Sequence, residues 1–160
     1  MKPNQAQISV GLFLLATFVG GVPAARAYSC STQKAAGDCG FTLAGAIITP
    51  TGSIPAAAVG RATVGVSGHV TGSEARSVAG GYADETFTGT LTVNSDCTGS
   101  MTLNFYEAGT LVRTSVLSVV FVDNQQELRM VQKSFTLPNG ANLPVVITAE
   151  AKRLFTDQLD

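Results

Sequence analysis

Long apolar runs, basic clusters, histidines and metal-ligand motifs are all scarce in this 160-residue chain, and each scarcity removes a class of function. Only residues 8 to 22 (ISVGLFLLATFVGGV) form a long uncharged apolar stretch, about 15 residues against the roughly 20 needed to cross the hydrocarbon core of a bilayer. No second such segment follows, so no membrane span is expected once this one is removed. Lys and Arg total 10 against 11 Asp and Glu, with no basic run, which gives no reason to invoke nucleic acid or an anionic membrane surface as a partner. The single histidine, His69, falls in a turn and has no fixed partner nearby in sequence, so a nucleophilic cysteine would lack its base. The thiols are dispersed and form no C-x-x-C or H-x-x-x-H cluster, so no metal is expected. Neither a G-x-S-x-G elbow nor a paired-carboxylate signature organises the Ser, Asp and Glu residues. The expectation is no catalytic residue and no cofactor.

What is present begins with Lys2, the apolar run, Pro23 and Ala25-Arg26-Ala27. A basic start, a short apolar stretch and an A-x-A site have the layout of a secretory signal, so residues 1–27 are read as a cleavable signal peptide helix. An uncleaved anchor, or a lipid anchor on Cys30, is the alternative; Ala27-Tyr28-Ser29 lacks a leucine-rich lipobox. The remaining 133 residues, 28 to 160, suit one domain with one core and carry 8 basic against 11 acidic residues, Lys2 and Arg26 having been removed. The expected destination is outside the cytoplasm, periplasmic or extracellular.

From Cys39 onward the pattern has period two, the signature of half-buried strands. Residues 28–38 are read as a polar lead-in and 39–155 as the folded domain. Cys39, Phe41, Leu43 and Ile47 alternate with smaller residues until Thr49-Pro50-Thr51-Gly52 ends the strand. Strands at about 59 to 66 and 69 to 79 flank a turn at Ser67-Gly68, and Gly80-Gly81 breaks the second. Phe87, Leu91 and Val93 alternate with threonines; so do Met101, Leu103 and Phe105 with Thr102 and Asn104. The segment LVRTSVLSVVFV is apolar on both faces toward its end, as a deeply buried or bulged strand would be. After the turn at 123–126, Leu128 and Met130 share a face, and PVVITAEAKRL closes the domain as a strand in preference to a helix. Eight strands joined by short turns, with no crossover helix, predict an all-β fold: an eight-stranded antiparallel up-and-down barrel, with a two-sheet sandwich as the alternative.

Several stretches resemble a family of small exported bacterial proteins described as allene oxide cyclase barrel-like, a calycin-style architecture. They are Cys39-Gly40-Phe41-Thr42-Leu43, Ala58-Val59-Gly60-Arg61-Ala62-Thr63, Ser67-Gly68-His69-Val70-Thr71-Gly72, FTGTLTVNSDCTGSMTL and VVFVDNQQELRM, which follow one another in the same order along most of the mature chain. The resemblance implies a closed barrel, export and an apolar interior ligand. It transfers no reaction, because the plant cyclases' active-site residues do not map onto named positions here.

Three cysteines allow three pairings. Cys39 shares the apolar face of Phe41 and Leu43 and should point into the core, whereas Cys97 sits in a turn and Cys30 in the lead-in. Parity therefore favours a Cys30–Cys97 bond that clamps the lead-in over a hairpin end, stabilising by about 2 to 4 kcal/mol; Cys30 with Cys39, or no bond, are the alternatives. Parity also turns some polar groups inward: Glu74 and Arg76 with Val70 and Val78, and Arg113 and Ser115 with Leu117, Val119 and Phe121. Charges among apolar walls suit an amphipathic ligand with a polar head, unless Glu74 and Arg76 lie at a wet strand end or pair with each other. With Phe41, Leu43, Phe87, Leu91, Met101, Leu103, Phe105 and Leu128 as the apolar wall, the expected function is binding of a small apolar or amphipathic molecule inside the barrel without catalysis. The alternatives are a cyclase or isomerase that confines a reactive lipid and a barrel filled by its own side chains that serves as an interaction module. Oligomeric state is not legible.

Overall fold

A computed structural model describes residues 29–154. The expected signal peptide lies outside the described residues, as do residues 155–160. A helical turn, α1 (Thr32–Ala35), precedes eight strands: β1 (Gly37–Thr49), β2 (Gly52–Val64), β3 (His69–Val78), β4 (Gly81–Val93), β5 (Thr98–Glu107), β6 (Thr110–Val122), β7 (Glu127–Thr136) and β8 (Val145–Arg153). Each strand pairs antiparallel with the next, and β1 also pairs with β8, so the sheet closes into an up-and-down barrel without a free edge. Among the described residues no helix is long and apolar enough to cross a membrane.

Alternation drives the closure. Along β6, Arg113, Ser115, Leu117, Val119 and Phe121 are buried while the residues between them are not. The apolar outer residues of this strand, Val120 and Val122, are solvent-exposed rather than buried on both faces. The strand also bulges: Phe105 pairs with Arg113 and Tyr106 with Leu111, leaving Val112 unmatched. Inward-facing glycines let the sheet coil tightly. Phe41 pairs with Gly60 and Phe87 with Gly72, and each ring lies over its glycine so closely that a Cβ would sit 2.6 Å from the first ring and 2.3 Å from the second. Glycine at these corners gives the bend, and the aromatic ring across the strand pair restores the buried apolar surface.

The two ends of the barrel differ. At one end the N-terminal segment lies across the opening. Cys30 is bonded to Cys97, Cys30 N donates to Ser95 O, and Ser31 exchanges two hydrogen bonds with the side chain of Gln125. The Arg153 guanidinium holds the next turn of chain by donating to Lys34 O and Ala36 O, each at 2.5 Å. Cys97 itself is in the left-handed region (φ 68°), the position that closes the β4–β5 turn and that a side-chain-bearing residue seldom takes. Above this plug Val70, Phe87, Leu91, Val119 and Phe121 pack as a floor. Cys39 is a free, buried thiol in the same core, and burial pushes its pKa up, so it behaves as a small hydrophobe.

Three expectations need correction. The second strand begins at Gly52 rather than near residue 59. Apart from Ile54, Ser53–Ala58 holds only small residues and a proline, which conceal the alternation. Pro55 is tolerated because the β2–β3 ladder starts only at Ala56↔Val78 and its carbonyl caps that end by accepting from Ala79 N. The lead-in contains a helical turn capped by Ser31, and β1 starts at Gly37, two residues before Cys39. Finally, Glu74 and Arg76 do not pair with each other: Glu74 is buried and bonds Arg113, while the partly exposed Arg76 bonds Glu85 and, toward the rim, Glu107.

Candidate functional site

Above the packed floor the barrel encloses a cavity of about 310 Å³ that opens at the end opposite the plug, at the small end of the roughly 300 to 1,000 Å³ that ligand pockets occupy. It exists because one wall is built from small residues. The inward positions of β2 and β8 carry Ala56, Ala58, Ala62, Ala149 and Ala151, which cannot reach across to the phenylalanines on β1, β4 and β5. Ile47, Leu137 and Leu143 border it toward the mouth.

The wall between β7 and β8 is incomplete. Their ladder has five residue pairs and ends at Val131↔Thr148, whereas β7 continues to Thr136 against β6. A bulge at this level leaves Lys133 unmatched between Gln132 and Ser134, which bends β7 and lets the two strands part. Gln132 fills the seam, donating to Ser115 Oγ and Ser134 O, both at 3.0 Å. The 137–143 turn folds back on the free side of β7 through Leu143 N to Phe135 O.

Apolar residues form most of the lining. Phe41, Leu43, Phe87, Met101, Leu103, Phe105 and Leu128 all border the cavity. Leu91 does not; it is buried lower, in the packed floor. The phenylalanines contact one another, Phe41 with Phe87 at 5.8 Å between centroids and Phe87 with Phe105 at 5.3 Å, within the range of favourable edge and tilted contacts.

Charge is confined to β3, β4 and β6. Glu74 and Glu85 are directly opposite each other on neighbouring strands, an unfavourable like-charge pair unless compensated. Arg113 compensates it from across the barrel: Nη2 donates to Glu74 Oε1 at 2.6 Å and Nη1 donates to Glu85 Oε2. Its guanidinium lies 3.7 Å from the Phe105 centroid and 5.6 Å from that of Phe135. Arg76 Nε donates to the other Glu85 oxygen, Oε1, and Nη2 reaches Glu107 Oε2 at the rim, 3.1 Å away. Glu85 therefore has both oxygens paired. Glu74 does not: Oε2 is buried without a hydrogen-bond partner, on a side chain 1% exposed. Burial holds the Glu74 carboxyl above the ordinary range for glutamate, with Glu85 adding to the effect, and the neighbouring Arg113 only partly opposes it.

Glu74, Arg76 and Arg113 thus meet in one network, as inward parity implied. Glu85 belongs to it as well, while Gln132 forms a separate buried contact with Ser115; neither is singled out from sequence. Their signal was available: Glu85 has the parity of Phe87, and Gln132 that of Leu128 and Met130.

No family model and no curated protein matches the chain. Solved structures do. A redesigned β-barrel, mFAP1, bound to DFHBI, is 14% identical, with a TM-score of 0.50 over 77% of this chain and 98% of that one. EF1p2_mFAP2b, also bound to DFHBI, is 11% identical, with a TM-score of 0.53 over 78% of this chain and 99% of its own. At such identities the likeness concerns the fold alone.

Proposed function

We propose that this protein is an exported barrel that binds a small apolar or amphipathic molecule in its interior and performs no catalysis on it. The observation that carries the reading is the cavity: closed at one end by a disulfide-tied plug, lined by aromatic and aliphatic side chains, and supplied with a buried Glu–Arg network. Concave apolar sites with a few convergent polar groups are the usual form of small-molecule pockets. A barrel filled by its own side chains would offer only its outer surface, and a volume of about 310 Å³ weighs against that alternative. The two similar barrels are each described as bound to the small molecule DFHBI, which supports an interior-ligand role for this architecture.

Export accounts for the disulfide, since such bonds persist in oxidising compartments, and for the signal-like start of the sequence. The family likeness to allene oxide cyclase barrel-like proteins is part of the same proposal. Native mass spectrometry of the protein purified from its own host tests binding: a co-purifying mass below that of a lipid bilayer fragment, released on denaturation, is expected. Homogeneous unliganded protein that also takes up no apolar probe would overturn the reading. N-terminal sequencing of the same sample should begin at Tyr28, and retention of residues 1–27 would remove the export half.

A further inference from the structure

The polar network specifies the head group of the occupant more narrowly than its apolar surroundings do, and the following inference rests on the interior-ligand reading. Three acids (Glu74, Glu85 and Glu107) share two arginines (Arg76 and Arg113), so with all groups ionised the network carries one uncompensated negative charge. Glu107 is half-exposed at the rim, where water solvates it; inside the barrel the acceptor left over is on Glu74. Every other interior carboxylate oxygen in this set is held by a guanidinium, while Glu74 lines the cavity with its Oε2 buried and without a hydrogen-bond donor. A buried acceptor left without a donor keeps its full desolvation penalty, larger when it is charged.

We propose that the cavity takes an apolar amine, whose ammonium group donates to Glu74 Oε2 while its hydrocarbon lies against the alanine wall. The charge count then closes at zero. An alcohol would supply the hydrogen bond and leave the charge. A fatty carboxylate would bring a fourth acid to two arginines that are already engaged, so the site discriminates against it.

The unoccupied barrel has another way to remove the charge, which is to protonate Glu74; its elevated pKa has that direction. The groups facing this carboxyl are Glu85 on β4 and Arg113 on β6, with Arg76 and Glu107 behind Glu85; β2 presents only Gly60 to it. Amine binding therefore releases the Glu74 proton, and affinity strengthens as pH rises through the Glu74 pKa of the empty barrel.

Calorimetric titration of the intact protein with octylamine, octan-1-ol and octanoate separates the cases. The expected order is octylamine tightest, by about tenfold or more over octan-1-ol, and octanoate weakest. Octylamine affinity should fall by up to about tenfold per pH unit on acidification below the Glu74 pKa, and Glu74→Gln should abolish the amine's advantage while octan-1-ol still binds. Octan-1-ol binding with no preference for octylamine, or octanoate binding tightest, would overturn the amine inference and leave the interior-ligand reading intact. Failure of all three to bind would overturn both. If Glu74→Gln does not fold, the wild-type profile decides: octylamine affinity that stays flat between about pH 4 and about pH 8 refutes the proposal.

Discussion

Replacing Arg113 by Met tests whether the interior network is held together as described. Arg113 is 10% exposed and bonds Glu74 and Glu85, whose side chains are 1% and 0% exposed. Arg113→Met keeps an apolar stem between Phe105 and Phe135 and removes the cation from both acids at once. Taking away one side of a buried ion pair costs about 3 to 5 kcal/mol, because the remaining charge stays desolvated. The same substitution ends the stacking of the guanidinium over Phe105, worth up to about 2 kcal/mol where desolvated. A loss of about 4 kcal/mol at neutral pH is the central expectation, a large part of the 5 to 15 kcal/mol by which domains are stable. The sign with pH follows from the carboxyls. Without Arg113 the Glu74 carboxyl, already held above its ordinary range by burial, is raised further, so the folded variant binds more protons than the unfolded chain and loses stability as pH rises through that window. Urea unfolding at about pH 7 and about pH 4 should show a large deficit at the first and a small one at the second. A triple variant, Glu74→Gln, Glu85→Gln and Arg113→Met, should recover much of the loss at neutral pH. Wild-type stability in Arg113→Met, or an equal deficit at both pH values, would refute the account of this network.

Further consequences follow for other parts of the barrel. In the wild type, Glu74 alone contributes a stability that is full below the unfolded glutamate pKa and declines as pH rises through its elevated folded pKa; Glu74→Gln should flatten that slope in urea titrations. Reduction, or Cys97→Ser, opens a bond between residues 67 apart in sequence, and chain entropy for such a loop corresponds to about 4 kcal/mol, readable as a fall in urea midpoint without loss of the β-sheet spectrum. Gly60→Val should unfold the barrel or displace Phe41, since even a Cβ there would lie 2.3 Å from Ser73 O; an unchanged midpoint would argue against the corner role. Ala58→Phe, on the cavity wall, should preserve the fold and abolish binding of octan-1-ol in the same calorimeter.

Much of the barrel was legible because alternation is local. Leu117, Val119 and Phe121 declare an inward face within five residues, and threonines mark the wet face of β4 without reference to anything distant. The Cys30–Cys97 bond followed from the same parity, which removed Cys39 to the core. What alternation cannot convey is which inward residues meet across the axis. Arg113 reaches Glu74 and Glu85 from 39 and 28 residues away, so Arg76 looked like the natural partner of Glu74 until closure brought β6 opposite β3. Ser53–Ala58 is hidden for a different reason: beyond Ile54 the inner face carries only Ala56 and Ala58, against Ser53, Pro55 and Ala57 on the outer, which gives no contrast, yet those inner alanines help create the cavity. Gln125, which anchors the plug from a left-handed turn position, carries no pattern at all, being one glutamine of a polar turn.

The most direct test of the central claim is a methyl-resolved NMR titration of the folded protein with octan-1-ol. Cavity occupation should shift Leu43, Ile47, Val112 and Ile147 while leaving the outward-facing Val59, Val131 and Val146 unmoved. Shifts confined to those outer valines, or none at any accessible concentration, would mean that the interior of this barrel is not a binding site.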